Sequence, residues 1–146
     1  MANINYLLRP ATEADYQYCY DLTKQNMFEL FCRHWGGWNT SAFRNDFKAT
    51  NTTIIIVDEQ QIGYFSLKKI DKNIVYLENI QLLPEFQGQG IGTAILKDIF
   101  QNNAFCSIYL TTFLDNPALH LYKSLGFVIT ERDQATVYME RKSKSG

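Results

Sequence analysis

Apolar positions along this chain change their spacing in a way that separates helices from strands. Ile4-Asn5-Tyr6-Leu7-Leu8-Arg9 reads as a short strand. Thr12-Glu13-Ala14-Asp15 has the form of a helix start, with a threonine N-cap and an acidic residue three positions on. Tyr16, Cys19, Tyr20, Met27, Leu30 and Phe31 then recur at helical intervals up to Trp35, and Gly36-Gly37 ends the run. A second, shorter helix is predicted after Asn39-Thr40-Ser41 and carries Phe43 and Phe47. From Thr52 the pattern becomes strand-like. Ile54–Val57, Ile62–Ile70 and Ile74–Leu83, separated by turns at 58–61 and 71–73, predict an antiparallel meander. A helical pattern returns at Ile91–Phe100 and ends near Asn102-Asn103. A strand over Phe105–Phe113, a short helix from Asp115-Asn116-Pro117 to Ser124, and two closing strands over 126–129 and 136–139 complete the set. The order is βααβββαβαββ. It predicts an α/β protein with a mixed central sheet, helices on both faces, and a single domain over residues 1–146.

Composition narrows the class of function. A formal net charge of −1 over 146 residues gives no electrostatic reason to expect nucleic acid or an anionic membrane as partner. The basic end, Arg141-Lys142-Ser143-Lys144-Ser145-Gly146, reads as a solvated terminus. No basic stretch followed by an apolar run opens the chain, and Ile54–Val57 is too short to span a bilayer, so a soluble cytoplasmic protein is expected. Cys19, Cys32 and Cys106 are odd in number and lack metal-binding spacing. They are expected to be free thiols in a reducing compartment, and no metal is expected.

The chemistry concentrates in Gln87-Gly88-Gln89-Gly90-Ile91-Gly92, which joins a strand ending at Leu82-Leu83-Pro84 to the helical pattern that follows. Glycines permit backbone conformations closed to other residues, and the first turn of a helix offers unpaired N–H groups and the positive end of the helix dipole. A strand, a glycine loop and a helix in this order form an anion cradle, most often for phosphate. Two familiar cradles fail on register. A dinucleotide fingerprint starting at Gly88 would need its third glycine at Thr93, and only residues 93–146 remain for a doubly wound sheet. A Walker A loop would need Gly-Lys-Ser/Thr, a tripeptide this chain lacks.

The spacing that fits is Gln-x-x-Gly-x-Gly, at Gln87, Gly90 and Gly92. With Asp115-Asn116-Pro117-Ala118-Leu119-His120-Leu121-Tyr122-Lys123-Ser124-Leu125-Gly126-Phe127 and the opening Leu8-Arg9-Pro10-Ala11-Thr12-Glu13-Ala14-Asp15, it resembles the GCN5-related N-acetyltransferase (GNAT) superfamily over nearly the whole chain. The resemblance implies an acetyl-CoA-dependent N-acetyltransferase, with acetyl-CoA as co-substrate. Transfer would be direct, to a primary amine of a small molecule or a peptide, by a monomer or a homodimer. The alternative within the same fold is a non-catalytic acyl-CoA-binding sensor or interaction module.

By the same resemblance, Gln87, Gly88, Gln89, Gly90, Ile91 and Gly92, with Thr93, bind the pyrophosphate. The main chain of Ile80, Gln81 and Leu82 pairs with the pantetheine arm, and Leu110 and Thr111 edge the acetyl end. Strand alternation puts Glu78 on one face with Tyr76, Ile80 and Leu82, where partial desolvation would raise its pKa, and the resemblance makes it the candidate base. Tyr122 matches the tyrosine that protonates the departing thiolate. Asn116 either touches pantetheine or caps the helix, and Asp115 competes with it for the family's asparagine position. The acceptor pocket is assigned to Phe31, His34, Trp35 and Trp38, aromatic walls with Arg33 as a cationic corner, suited to an amine that also carries a carboxylate. Trp35 and Trp38 could equally plug the helix junction.

Overall fold

A computed structural model describes residues 5–143; Ile4 of the first expected strand and 144–146 of the basic end lie outside them. The strands are β1 (Leu7–Pro10), β2 (Thr52–Val57), β3 (Gln60–Asp71), β4 (Ile74–Leu82), β5 (Ser107–Phe113), β6 (Val128–Arg132) and β7 (Thr136–Arg141). The helices are α1 (Tyr16–Trp35), α2 (Thr40–Asp46), α3 (Ile91–Asn102) and α4 (Leu119–Ser124). The expected order is the observed one. The seven strands form one mixed sheet in the order β1-β2-β3-β4-β5-β7-β6, in which β4 and β5 run parallel and β1–β2, β2–β3, β5–β7 and β6–β7 run antiparallel. Element boundaries differ from expectation by a few residues. The β2–β3 turn is tighter than expected because Asp58 and Glu59 both adopt left-handed conformations, at φ 49° and 66°. That places the turn in the two-residue hairpin class and lets β3 begin at Gln60. The α4 helix begins later than expected, at Leu119, because the residues ahead of it form an asparagine-capped turn.

Two compact units divide the chain. One comprises residues up to Ser66 together with Asn79–Gly92; the other comprises Leu67–Glu78 and the chain from Thr93 onward. In the first, Cys19 and Leu22 of α1 pack with Phe47, Ile54 and Tyr64. Burial pushes the Cys19 thiol up to about 12, whereas Cys32 is exposed and Cys106 is half-buried. The Thr23 hydroxyl bonds to the Tyr64 hydroxyl and donates to the Cys19 carbonyl at 2.7 Å, so this apolar core contains a satisfied polar pair. In the second unit, Ile95, Leu96, Ile99 and Phe100 present one apolar stripe of α3, a spacing that suits a helix covering a sheet. Phe127 packs against Phe100 with ring centroids 5.8 Å apart. The Arg141 guanidinium lies 3.9 Å over the Phe100 ring and its Nε donates to the Leu125 carbonyl at 2.9 Å.

The entry to α1 is held electrostatically. Thr12 caps a single 3-10 turn over Glu13–Asp15 that leads into the helix. Asp15, buried, accepts from Arg9 at 2.8 and 2.9 Å and from the Thr12 N–H at 2.8 Å. The Arg9 bonds hold its carboxyl below the usual range. A depressed carboxyl stabilises the fold above its unfolded value of 3.8, and that contribution is lost as pH falls through the lower native value. Asp15→Asn should therefore cost about 2 kcal/mol near neutral pH. It should also flatten the acid limb of stability in urea unfolding measured as a function of pH.

Candidate active site

The glycine loop is shaped by two residues in left-handed conformation, Gly88 at φ +74° and Gly90 at φ +86°. Gly92 lies inside the first turn of α3. A Cβ added at Gly88 or Gly90 would meet nothing within 4 Å, so torsion and not crowding calls for glycine there. Both loop glutamines turn back onto their own corner. Gln87 Nε2 donates to the Leu82 carbonyl at 3.0 Å, and Gln89 Nε2 to the Glu85 carbonyl at 2.6 Å. Each of these amides thus has one of its two hydrogens engaged at the corner that the loop leaves. Ile91 is buried and anchors the start of α3, while Thr93 is half-buried in its first turn.

The end of β4 feeds this loop. Leu77 is buried, Tyr76, Glu78, Asn79 and Ile80 are half-buried, and Gln81 and Leu82 are both buried, so strict alternation stops before the strand ends. Gln81 is one of the few buried polar side chains. Asn26 of α1 reaches it, donating from Nδ2 to Gln81 Oε1 at 3.1 Å and to the Leu82 carbonyl at 2.9 Å. The next N–H, that of Leu83, donates to the Ile62 carbonyl at 2.8 Å. Gly63 makes this approach possible, since a Cβ there would fall 2.2 Å from the Gln81 carbonyl oxygen. Neither Asn26 nor Gly63 was flagged by the sequence. The glycine interrupts an otherwise β-forming run, and that was the available signal for a close backbone approach.

In the other unit, Leu110 is buried and paired with Met139, and Thr111, half-buried, is paired with Tyr138. Tyr122 is buried and burial pushes its phenol up to about 12, so it carries its proton at any ordinary pH. Its ring packs edge-on against Phe127 at 5.8 Å. Asn116 acts as a cap: Oδ1 accepts from the Ala118 N–H at 2.9 Å and Nδ2 donates to Thr112 Oγ1 at 2.8 Å. Asp115 is exposed beside it.

The α1–α2 junction brings some of the expected acceptor residues together. Gly36, at φ +77°, ends α1 with its N–H on the Cys32 carbonyl. Phe31 lies 4.9 Å from Trp35 and 5.1 Å from Trp38, ring to ring. Trp38 packs edge-on against Tyr20 and donates from Nε1 to its hydroxyl at 3.1 Å, while Thr40 bonds that hydroxyl at 2.9 Å. The Thr40 bond, then that of Trp38 and the nearby Lys24 charge, hold the Tyr20 phenol below its usual range. Trp38 thus joins the two helices, whereas Trp35 remains 62% exposed. His34 is half-buried on the last turn of α1. Tyr20 was read from the sequence only as a helix-spaced apolar position; its polar role appears with Trp38 and Thr40 beside it.

The glycines separate by mechanism, which substitution tests. Gly90→Ala forces an unfavourable torsion worth about 1–2 kcal/mol into an open loop. It should weaken anion binding in calorimetric titrations and lower stability by no more than that torsional cost. Gly63→Ala drives a Cβ into backbone and should lower stability by about 3 kcal/mol or more, read as the denaturant midpoint.

Comparison with known proteins bears on the whole arrangement. Residues 17–127 match the acetyltransferase (GNAT) family. A thialysine N-epsilon-acetyltransferase of Mus musculus is 45% identical over 56 residues, 36% of this chain and 33% of that relative. The chain thus spans about a third of the length of that curated relative. Among solved structures, the ribosomal-protein-S18-alanine N-acetyltransferase from Escherichia coli superimposes with a TM-score of 0.75 at 18% identity, covering 97% of each chain. The PaiA N-acetyltransferase from Thermoplasma acidophilum, in complex with coenzyme A, gives 0.74 at 17% identity, covering 95% of this chain and 99% of that one. Among the described residues no helix is long and apolar enough to cross a membrane. With a family match over most of its length, two glycines turned left-handed ahead of α3, and the sheet order described above, the chain belongs to the acetyltransferase (GNAT) family.

Proposed function

We propose that this chain, acting as one domain, is an acetyl-CoA-dependent N-acetyltransferase that moves an acetyl group directly to a primary amine. The observation that carries the reading is the conformation of the Gln87–Gly92 loop at the start of α3, with Gly88 and Gly90 left-handed and both glutamine amides bonded back to Leu82 and Glu85. A pyrophosphate is the anion that such N–H groups at a helix start suit. The pairing of β4 with β5 runs over Ile74–Tyr76, whereas β4 itself continues to Leu82, and the main chain of Ile80 and Gln81 is assigned to the pantetheine arm. The Leu82 carbonyl accepts from two side chains already, which favours its neighbours for that task. Leu110 and Thr111 are assigned to the acetyl end. Asn116, having one Nδ2 hydrogen engaged with Thr112, keeps the other for the cofactor.

Acetyl-CoA supplies an acyl group activated as a thioester. Glu78, half-buried on β4, takes the proton from the attacking amine, directly or through water, so that the nitrogen can form its bond to the acetyl carbon. As the carbon–sulfur bond breaks, Tyr122 gives a proton to the leaving thiolate. A phenol raised to about 12 remains protonated through the working pH range, so it is always available as donor. The acceptor is assigned to the Phe31, Trp35, Trp38 and His34 end of α1. The relative named for thialysine acts, by that name, on the amine of an amino acid. An amine on a molecule that also bears a carboxylate is accordingly the first substrate class to test, with Arg33 as its cationic partner.

Acetyl-CoA at a hundredfold excess over its dissociation constant should stabilise the protein by about 2.7 kcal/mol. No thermal shift with acetyl-CoA would remove the cofactor assignment. A shift without thiol release, over amino acids, polyamines and peptides as acceptors, would favour a binding module over an enzyme. Tyr122→Phe should lower kcat by about a hundredfold or more while acetyl-CoA affinity holds. In the wild type, no rate loss traceable to Tyr122 should occur until pH nears about 12.

A further inference from the structure

Three side-chain carboxamides in one unit form a chain with a fixed direction. The Leu82 carbonyl can only accept, so the Asn26 atom 2.9 Å from it is the nitrogen. The same nitrogen lies 3.1 Å from Gln81, which must present its oxygen. Gln81 therefore turns its nitrogen to Asn79 Oδ1, at 3.1 Å. One backbone carbonyl thus sets the orientation of Asn26, Gln81 and Asn79. Both hydrogens on Asn26 Nδ2 are used, a task that needs a primary amide and that neither a carboxylate nor a hydroxyl can perform. The Leu82 carbonyl receives a second donor, Gln87 Nε2 at 3.0 Å, from the glycine loop. On the other edge of the same peptide unit, the Leu83 N–H is held by the Ile62 carbonyl at 2.8 Å.

We propose that Asn26 is a positioning residue for cofactor binding. It sits on α1, outside the loop, yet it fixes the peptide unit from which the loop departs and shares that carbonyl with the first residue of the glycine signature. It acts through Leu82 and Gln81 and touches no ligand itself. The proposal rests on the reading of Gln87–Gly92 as a CoA pyrophosphate cradle. Its ligand is thus coenzyme A, and its effect is on affinity, because a loop whose root can shift must be ordered at the expense of binding.

Calorimetric titration of the full chain with coenzyme A, well below the melting temperature, tests it. Asn26→Ala and Gln87→Ala should each weaken binding about tenfold, the factor one lost hydrogen bond commonly represents. Asn26→Asp, of the same size but without donors, should weaken it at least as much. Thr23→Val is the control. It removes two buried hydrogen bonds from the same helix, to the Cys19 carbonyl and the Tyr64 hydroxyl, and should lower the melting temperature while leaving coenzyme A affinity unchanged. Wild-type affinity in both Asn26 variants would overturn the proposal while the cradle stands. An equal loss of affinity in Thr23→Val would also overturn it, by reducing Asn26 to general support of α1. If the wild type itself fails to bind coenzyme A, the cradle reading falls and the proposal with it. Should Asn26→Ala not fold, Asn26→Asp and Gln87→Ala carry the same comparison.

Discussion

The peptide unit joining Leu82 to Leu83 is held from three parts of the chain, just ahead of the glycine loop. Its carbonyl accepts from α1 and from the loop, its N–H donates to β3, and the approach exists because Gly63 has no side chain. A buried carbonyl left unsatisfied is costly, and this one has both lone pairs engaged. Rigidity at the root lets the next residues be open. Gly88 and Gly90 turn into open space, where a Cβ would meet nothing within 4 Å. The fixed contacts thus lie upstream, at Leu82 and Leu83, ahead of the Pro84 corner and the two glycines.

The second unit solves a different problem. Its polar side chains near β5 and α4 are used locally: Asn116 closes a turn, Arg141 covers the Phe100 ring and bonds a helix-end carbonyl, and Tyr122 is buried against the Phe127 ring. Burial there keeps a phenol protonated, since the charged form would have to exist in low dielectric. At the α1–α2 junction the reverse holds. Tyr20 has hydrogen-bond partners and a cation beside it, which lower its phenol from the usual value, and the aromatic packing that surrounds it is made of residues that also join the helices.

How much of this was legible in the residues depends on whether the signal was local. The Gln87–Gly92 run, the Asn116–Phe127 run and the periodicity of the helices and strands are local, and they led to the element order and to the family. The hairpin at Asp58-Glu59 was read as a longer turn because a left-handed torsion at Glu59, next to that of Asp58, runs against ordinary preference. Asn26 was not legible. It is separated from its partners by 55 and 56 positions, and nothing in its own neighbourhood distinguishes it from a solvent-facing asparagine on a helix. Trp35 and Trp38 illustrate the middle ground. Both were marked, but only tertiary packing separates the one that joins helices from the one that stays 62% exposed.

The glycines described above carry different evolutionary permissions. A position held by torsion tolerates any residue that can visit the left-handed region, and asparagine or aspartate can do so at modest cost. A position held by distance tolerates nothing with a Cβ. Drift at Gly88 and Gly90 therefore has an exit through asparagine, whereas drift at Gly63 has none unless β4 itself moves. Over generations the residue farthest from the chemistry in outward appearance, a lone glycine in mid-strand, is the one with the least freedom to change.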